Sequence, residues 1–485
     1  MRSHHSARNA VTERRDRGKN ISAIVVVVAA MAISSYAQTF TSLGSLSKTT
    51  GDFPRGPLAQ GPDGSYYGIA TEGGPNTFYP CGPGGCGTVF KYTPGGTITL
   101  VHKFKGTRDG DFSSSGLTLV TNGDLYGTTP GGGANNDGTV FEITARGTLI
   151  NVHSFAGTDG AYASPTLVWA SNNHLYGTTQ IGGANNAGTV FEMTPLGALT
   201  TIYNFCSNTN CTDGAYPTGG LVQGANGDFY GTTFNGGANN WGVVFQITPA
   251  GKLTVLHSFI IENGNSDNPT GPLVQASNGK FYGLTQGGAK GYGTVYEITD
   301  CGKFRTIHRF LGSDGSLPLG ALMQATDGNL YGTTQDGGGY GSIFQITLGG
   351  TLTTVHLFDG THGGFPQSGL VQGTDGVLYG ATYGGGVDTC PPVVPPCGTV
   401  YSLSMGLGPF VTTSPIAGPI GRFVLILGTD LSAATSVTFN GQAAAFTVLS
   451  PTEIKTQVPR GASSGTVQVV TPSGTLSSKV PFRVQ

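Results

Sequence analysis

Apolar and polar positions alternate in short runs along most of the chain, and the runs come in sets of four. One set reads TGPLVQA (270–276), FYGLT (281–285), GTVYEIT (293–299) and FRTIHRF (304–310). The runs are rich in β-branched and aromatic residues and are bounded by SNG, a glycine-rich stretch and DCGK. Such runs predict β-strands, and the Asn-Gly and Asp-Gly steps between runs predict hairpins. Helix-period stretches and capping boxes are absent, so the chain is expected to be all-β.

The set repeats. LYGTTPGGGANNDGTVFEIT (125–144), LYGTTQIGGANNAGTVFEMT (175–194) and FYGTTFNGGANNWGVVFQIT (229–248) are one phrase with small changes. Its Tyr-Gly step falls at Tyr67, Tyr126, Tyr176, Tyr230, Tyr282, Tyr331 and Tyr379, at spacings of 48 to 59 residues. A period near 50 residues points to a solenoid or a propeller, and four antiparallel strands per period make a propeller blade.

The ends of the array predict closure. The fourth-strand phrase, as in LTVLHSF (253–259), occurs six times against seven Tyr-Gly steps. The last unit stops after GTVYSLS (398–404), and an orphan run FTSLGSL (40–46) precedes the first. The expectation is a seven-bladed β-propeller over 38–407, closed by an N-terminal strand that completes blade seven and leaves no free sheet edge. Glycines after the tyrosines are expected to admit close backbone approach, and those in GGANNAG to supply positive φ. From 408 to 485 the phrase stops. RFVLILGTDL, ATSVTFNG, GTVQVVTPSG and VPFRVQ predict a small Ig-like β-sandwich.

Composition sharpens this picture. Glycine makes 82 of 485 residues, and only 10 % are charged. Aromatic and β-branched residues on a fixed schedule argue against disorder. With a formal net charge of −2, nothing points to a nucleic-acid footprint, and no nucleic-acid partner is expected. Residues 1–37 are set apart: six basic side chains precede ISAIVVVVAAMAI, and SYA fits a cleavage site that leaves Gln38 first. The apolar run has 13 residues, short for a span of about 20. We therefore expect a signal peptide over 1–37 and an exported protein, extracellular, cell-surface or periplasmic. No membrane span is expected in the mature chain, and a monomer is expected. Six of seven cysteines pair closely in sequence: Cys81 with Cys86, Cys206 with Cys211, Cys390 with Cys397. In an exported chain these predict disulfides rather than a metal site, because the pairs are far apart and no histidine accompanies them. Cys301 is left as a free thiol or an intermolecular bridge.

Two family resemblances rest on these residues. The LYGTT…GG…GTVFEIT units resemble the GloVer tandem repeat of exported bacterial proteins. ILGTDL…VTFNG…AAFTVLS…IKTQVPRGASSGTVQVVTPSG resembles the IPT/TIG immunoglobulin-like domain. The resemblance implies export or surface attachment and carries no chemistry with it. Many relatives end in a sorting anchor. This chain ends in FRVQ, so release, periplasmic residence or indirect attachment is expected.

Candidate chemistry is sparse. His102, His153, His257, His308 and His356 hold one strand position, with Tyr203 in blade three, and are read as packing between blades, His257 on one face with Leu253, Val255 and Phe259. DGDFSS (109–114) resembles the start of a calcium loop but lacks its sixth-position glycine and distal glutamate. The Asp-Gly steps at Asp159, Asp213 and Asp314 read as turns, and Glu142, Glu192 and Glu297 as one repeat position. No H-E-x-x-H, G-x-S-x-G or P-loop is present. No catalytic residue, cofactor or metal is assigned, and no enzyme is expected. Paired acids meeting across blades remain open to a glycosidase.

Asymmetry gives the functional expectation. Loops between strands two and three, and between blades, share one ring face; the other face carries tight turns. The stapled loops of blades one and seven are enlarged and become neighbours on closure. Asn76, Phe78, Tyr79, Asp388 and Thr389 are the candidate binding residues there. The leading expectation is a non-enzymatic exported binding protein with a glycan or extracellular protein as ligand. Alternatives are a secreted carbohydrate-active hydrolase or lyase and a structural cell-surface component.

Overall fold

Leu175–Thr179 and Thr189–Met193 pair antiparallel, flanked by Val168–Trp169 and Leu199–Asn204, and this sheet is one of seven blades, six of four strands and blade one of five, with Asp52–Pro54 added at its edge. The computed structural model describes residues 38–74, 81, 84–163, 166–260, 268–287, 291–386 and 397–485. The expected signal peptide, the candidate loop residues Asn76, Phe78, Tyr79, Asp388 and Thr389, and Cys390 lie outside the described residues. Blade seven takes Val371–Gln372, Leu378–Ala381 and Thr399–Ser404 from late in the chain and Thr39–Ser45 from its start. Phe40 pairs with Leu403 in that closing ladder.

The repeated phrase is a packing solution. The second- and third-strand aromatics are buried between blades, and each contributes about 2–3 kcal/mol of burial. A Cβ on Gly177 would sit 2.6 Å from the Phe191 ring and 2.7 Å from Leu167, so the glycine after each tyrosine makes room for the third-strand ring. At the joints the tyrosine stacks on the next blade: Tyr176 on Phe229 at 4.1 Å and Tyr230 on Phe281 at 4.0 Å.

One strand reading needs correction. The fourth strands carry a bulge, between Val255 and His257 in blade four. The extra residue reverses the alternation. Leu253 and Val255 pack with blade three, whereas His257 lies flat on Phe304 of blade five, with ring centroids 3.9 Å apart.

The tail folds as two facing sheets, one built on Phe423–Leu427 and Glu453–Gln457, the other on Ser436–Phe439 and Val467–Thr471. Val424, Ile426, Ile454, Phe439 and Val469 form its core. It sits on the tight-turn face of the ring. Thr452 donates to the Pro62 carbonyl at 2.6 Å, Ser414 to Leu119 at 3.2 Å and Arg422 to Ser171 at 3.1 Å. Arg483 donates to Gly224, and the Phe410 N–H to Thr374 at 2.9 Å. The tail is therefore held to the turns of blades one to four and seven.

Candidate functional site: the loop-rich face

Six blades are entered through one kind of turn. A glycine of positive φ is followed by one variable residue and then by a residue in the left-handed region. These last are Phe53 (φ 60°), Phe112 (51°), Tyr162 (58°), Tyr216 (56°), Leu317 (52°) and Phe365 (55°); blade five has Asn268 (53°) in the left-handed region. The N–H of each of the six reaches the preceding blade. Phe112 donates to the Cys86 carbonyl at 3.0 Å, Tyr162 to Asp137 at 2.9 Å, Tyr216 to Ala187 at 2.9 Å and Phe365 to Tyr340 at 2.7 Å. This stitch fixes the backbone, while a bulky side chain there costs of order 1–2 kcal/mol against glycine. Asparagine is the tolerant choice, and only blade five uses it.

The cysteines serve the same stitch. Cys81–Cys86 and Cys206–Cys211 are disulfides, and Cys397 is disulfide-bonded. Cys86 and Cys397 are the carbonyls that receive Phe112 and Phe53. The staples of blades one and seven thus hold the acceptor side of the joints. Cys301 is a free, exposed thiol in a turn on the opposite face.

Aromatic side chains crowd the loop-rich face. Phe112, Tyr162, Tyr216, Trp241, Tyr292 and Tyr340 are each between 36 % and 43 % exposed. Half stand at the left-handed position and half at the facing loop end. Among the described residues, the other exposed large apolar side chains of the ring are aliphatic.

Two openings lie among them. The channel mouth takes a residue from every blade, from Arg55, Ser115 and Thr166 through Thr218 and Pro272 to Ala321 and Gln367, around a cavity of about 210 Å³. Its lining is mostly Gly, Ser, Thr and Pro. Beside it runs a cleft of about 1130 Å³, lined by Arg55, Glu72, Asp111, Phe112, Tyr162 and Gln180 among others. Burial, with repulsion from Asp109 added, pushes the Asp111 carboxyl up to about 6. Burial and then Glu72, against the weaker pull of Lys48, does the same for Asp52. Asp52 faces Glu72 across its strand pair.

Three of the five histidines flagged in the sequence have an Asp-Gly acid as partner, and His257 and His356 stack on Phe304 and Phe40. His102 bonds Asp109 at 2.9 Å, His153 bonds Asp159 at 2.8 Å and His308 bonds Asp314 at 2.9 Å. Tyr203 donates to Asp213 at 2.7 Å in the same role. The same acids accept backbone N–H groups, as Asp159 does from Ala156 at 2.8 Å. They are clamps between strand and loop rather than simple turn residues. In DGDFSS, Asp109 is thereby committed to His102, and Asp111 lines the cleft. Glu192 accepts from His174 and Tyr176, both at 2.6 Å, and Glu297 from Lys280 at 3.0 Å and Arg305 at 2.9 Å, away from the cleft. The loop residues named from the sequence lie outside the described residues; the sequence reading did not single out Tyr162, Tyr216 or Asp52, and took Asp111 only as part of a calcium-like phrase. The missed signal is that Asp52 and Asp111 stand where four other blades have Ala161, Ala215, Ser316 and Gly364.

At the other mouth the tail encloses a cavity of about 380 Å³ lined by Gln60, Trp169, Gln372, Phe410 and Lys479. Lys479 lies over the Phe410 ring at 5.4 Å, and burial pushes its amine down to about 8. Among the described residues no helix is long and apolar enough to cross a membrane.

A ring of four-stranded blades with one aromatic, loop-built face and one face covered by an Ig-like domain defines a β-propeller protein. The chain belongs to the Gloeobacter/Verrucomicrobia repeat family, whose repeat matches residues 76–272 and 260–413. The IPT/TIG domain matches residues 409–484. No curated protein matches the sequence. Among solved structures, the chain is similar to the PQQ-bound aldose sugar dehydrogenase of Streptomyces coelicolor. That likeness has 12 % identity over 76 % of this chain and 98 % of that one, with a TM-score of 0.40. It is also similar to a gluconolactonase from Xanthomonas campestris (12 %, 63 % and 90 %, TM-score 0.40). A protein of unknown function from Dyadobacter fermentans is similar as well (11 %, 75 % and 97 %, TM-score 0.42). These likenesses carry no activity over to this chain.

Proposed function

We propose that this is an exported carbohydrate-recognition protein that binds a glycan or polysaccharide chain across the loop-rich face of its propeller. The observation that carries the reading is the aromatic belt. Phe112, Tyr162 and Tyr216 hold exposed rings on left-handed backbone, where glycine or asparagine would close the same stitch at lower cost. Exposed aromatic rings offer flat apolar surface to the C–H faces of sugars, and a rigid scaffold lowers the ordering cost of binding. The disulfides support an oxidising compartment. The test is binding of the whole chain to a polysaccharide and glycan panel, with a Phe112→Ala/Tyr162→Ala/Tyr216→Ala variant alongside. The reading expects a specific hit that the variant loses while remaining folded; a panel with no hit for folded protein contradicts it.

A second reading, a carbohydrate-active hydrolase, draws on Asp111 and Asp52, whose raised pKa values suit a general acid. It requires turnover of a bound polysaccharide that Asp111→Asn abolishes. Binding without turnover removes it.

A further inference from the structure

Asp111 breaks the repeat. Blades three, four, six and seven place Ala161, Ala215, Ser316 and Gly364 at its register. Asp111 is 4 % exposed, and its Oδ1 has no hydrogen-bond partner among the described residues. A buried, unpaired carboxylate works against folding. Packing does not demand one here. In blade three Ala161 faces Ile181, whereas in blade two the carboxyl lies over Gly131, where any side chain would collide with Oδ1. The same space is filled by an aliphatic group in one blade and by a carboxylate in the next.

The surroundings select the ligand. Phe112 and Tyr162 line the same cleft with exposed rings, and Asn135, Asn136 and Gln180 add amides. Arg55 and Glu72 line it as well and offset one another, so apart from Asp111 the lining adds no net charge. A partner that donates hydrogen bonds, is uncharged and has a flat apolar face is a sugar ring. We propose that Asp111 anchors a neutral pyranose in this cleft by accepting hydrogen bonds from neighbouring ring hydroxyls, with Phe112 or Tyr162 stacked on the ring. The inference rests on the carbohydrate reading above and names its polar contact.

The test uses the whole chain, made under oxidising conditions, in calorimetric titrations with cellohexaose, laminarihexaose, xylohexaose and chitohexaose. Two variants are compared with the parent: Asp111→Asn, which keeps the shape, and Asp111→Ala/Gly131→Ile, which writes the blade-three pair. For the hexasaccharide that the parent binds, both variants are expected to bind about tenfold more weakly or worse, as for loss of a charge-assisted hydrogen bond. Both are also expected to melt no lower than the parent at pH 8, where the buried carboxylate is ionised. Unchanged affinity in Asp111→Asn, with binding lost in the aromatic variants, overturns the inference and leaves the carbohydrate reading standing. A melting temperature that falls in both variants makes Asp111 a structural residue and overturns the inference on its own. A parent that binds none of the four probes nor any member of the wider panel removes the carbohydrate reading, and the inference with it.

Discussion

Tyr66 of blade one lies on Tyr379 of blade seven with ring centroids 4.1 Å apart, the same contact that Tyr176 makes with Phe229 inside the ring. The joint between the chain's two ends is thus built like the internal joints. Gln60 and Thr374 add a hydrogen bond of 3.1 Å across it. Thr39–Ser45 completes blade seven, and Phe40 stacks on His356 of blade six at 3.7 Å. Phe40→Ala is predicted to destabilise the whole chain by about 2–4 kcal/mol, as for loss of a largely buried aromatic. Urea unfolding monitored by tyrosine fluorescence checks this. A midpoint equal to the parent's would mean that the N-terminal strand does not carry the closure.

Two hydroxyls sit in the core without partners. Blades five and seven have Tyr296 and Tyr401 where other blades have Phe141, Phe191, Phe245 and Phe344, and neither oxygen has a hydrogen-bond partner among the described residues. Tyr296→Phe and Tyr401→Phe are each predicted to stabilise by about 1 kcal/mol, since a buried unpaired hydroxyl costs that much or more. Calorimetric melting decides; a lower melting temperature in either variant would reveal a partner for that oxygen.

His257 gives a signed pH prediction. Burial lowers its pKa from the ordinary 6.5 to about 4. The unfolded chain therefore takes up the proton first, and stability present above pH 6.5 drains away as the pH falls toward 4. His257→Phe keeps a flat ring on Phe304 and removes the proton site. The stability gap between parent and variant should shift in the variant's favour between pH 6.5 and pH 4. A gap that stays constant over that window would contradict the assignment.

Lys479 is a second buried base, with the same sign at higher pH. Its amine is pushed down to about 8 by burial under the tail, so the folded state gives up its proton more readily than the unfolded state. The burial penalty is full below pH 8 and fades as the pH rises toward 10.5. Lys479→Met is predicted to stabilise the chain at pH 7 and to lose that advantage by pH 10. Paired melts at the two pH values check this, and a destabilised variant at pH 7 would show that the cation is satisfied at the junction.

The fold was legible because it is written seven times. Tyr-Gly steps, Asn-Gly turns and a missing seventh fourth-strand phrase carry strand order and closure without any knowledge of contacts. The bulge before His257 was not legible, because one inserted residue reverses the facing without changing composition. The tail's docking rests on Arg422 and Arg483, scattered cations that reach main-chain carbonyls and leave no motif. That one side of the ring carries the longer loops was legible in the sequence. Its aromatics were not, since nothing in AYAS or DFSS announces a left-handed tyrosine or phenylalanine. Asp111 was visible as a departure from the repeat, but it stood inside a phrase that looked like half of a calcium loop.

The most direct measurement is polysaccharide pull-down and titration of the parent against Phe112→Ala/Tyr162→Ala/Tyr216→Ala, with circular dichroism to show both folded. The account predicts a specific polysaccharide ligand for the parent and a loss of about a hundredfold or more in the variant, as for removal of several stacking contacts. Equal binding by parent and variant, or no binding by either, would contradict it.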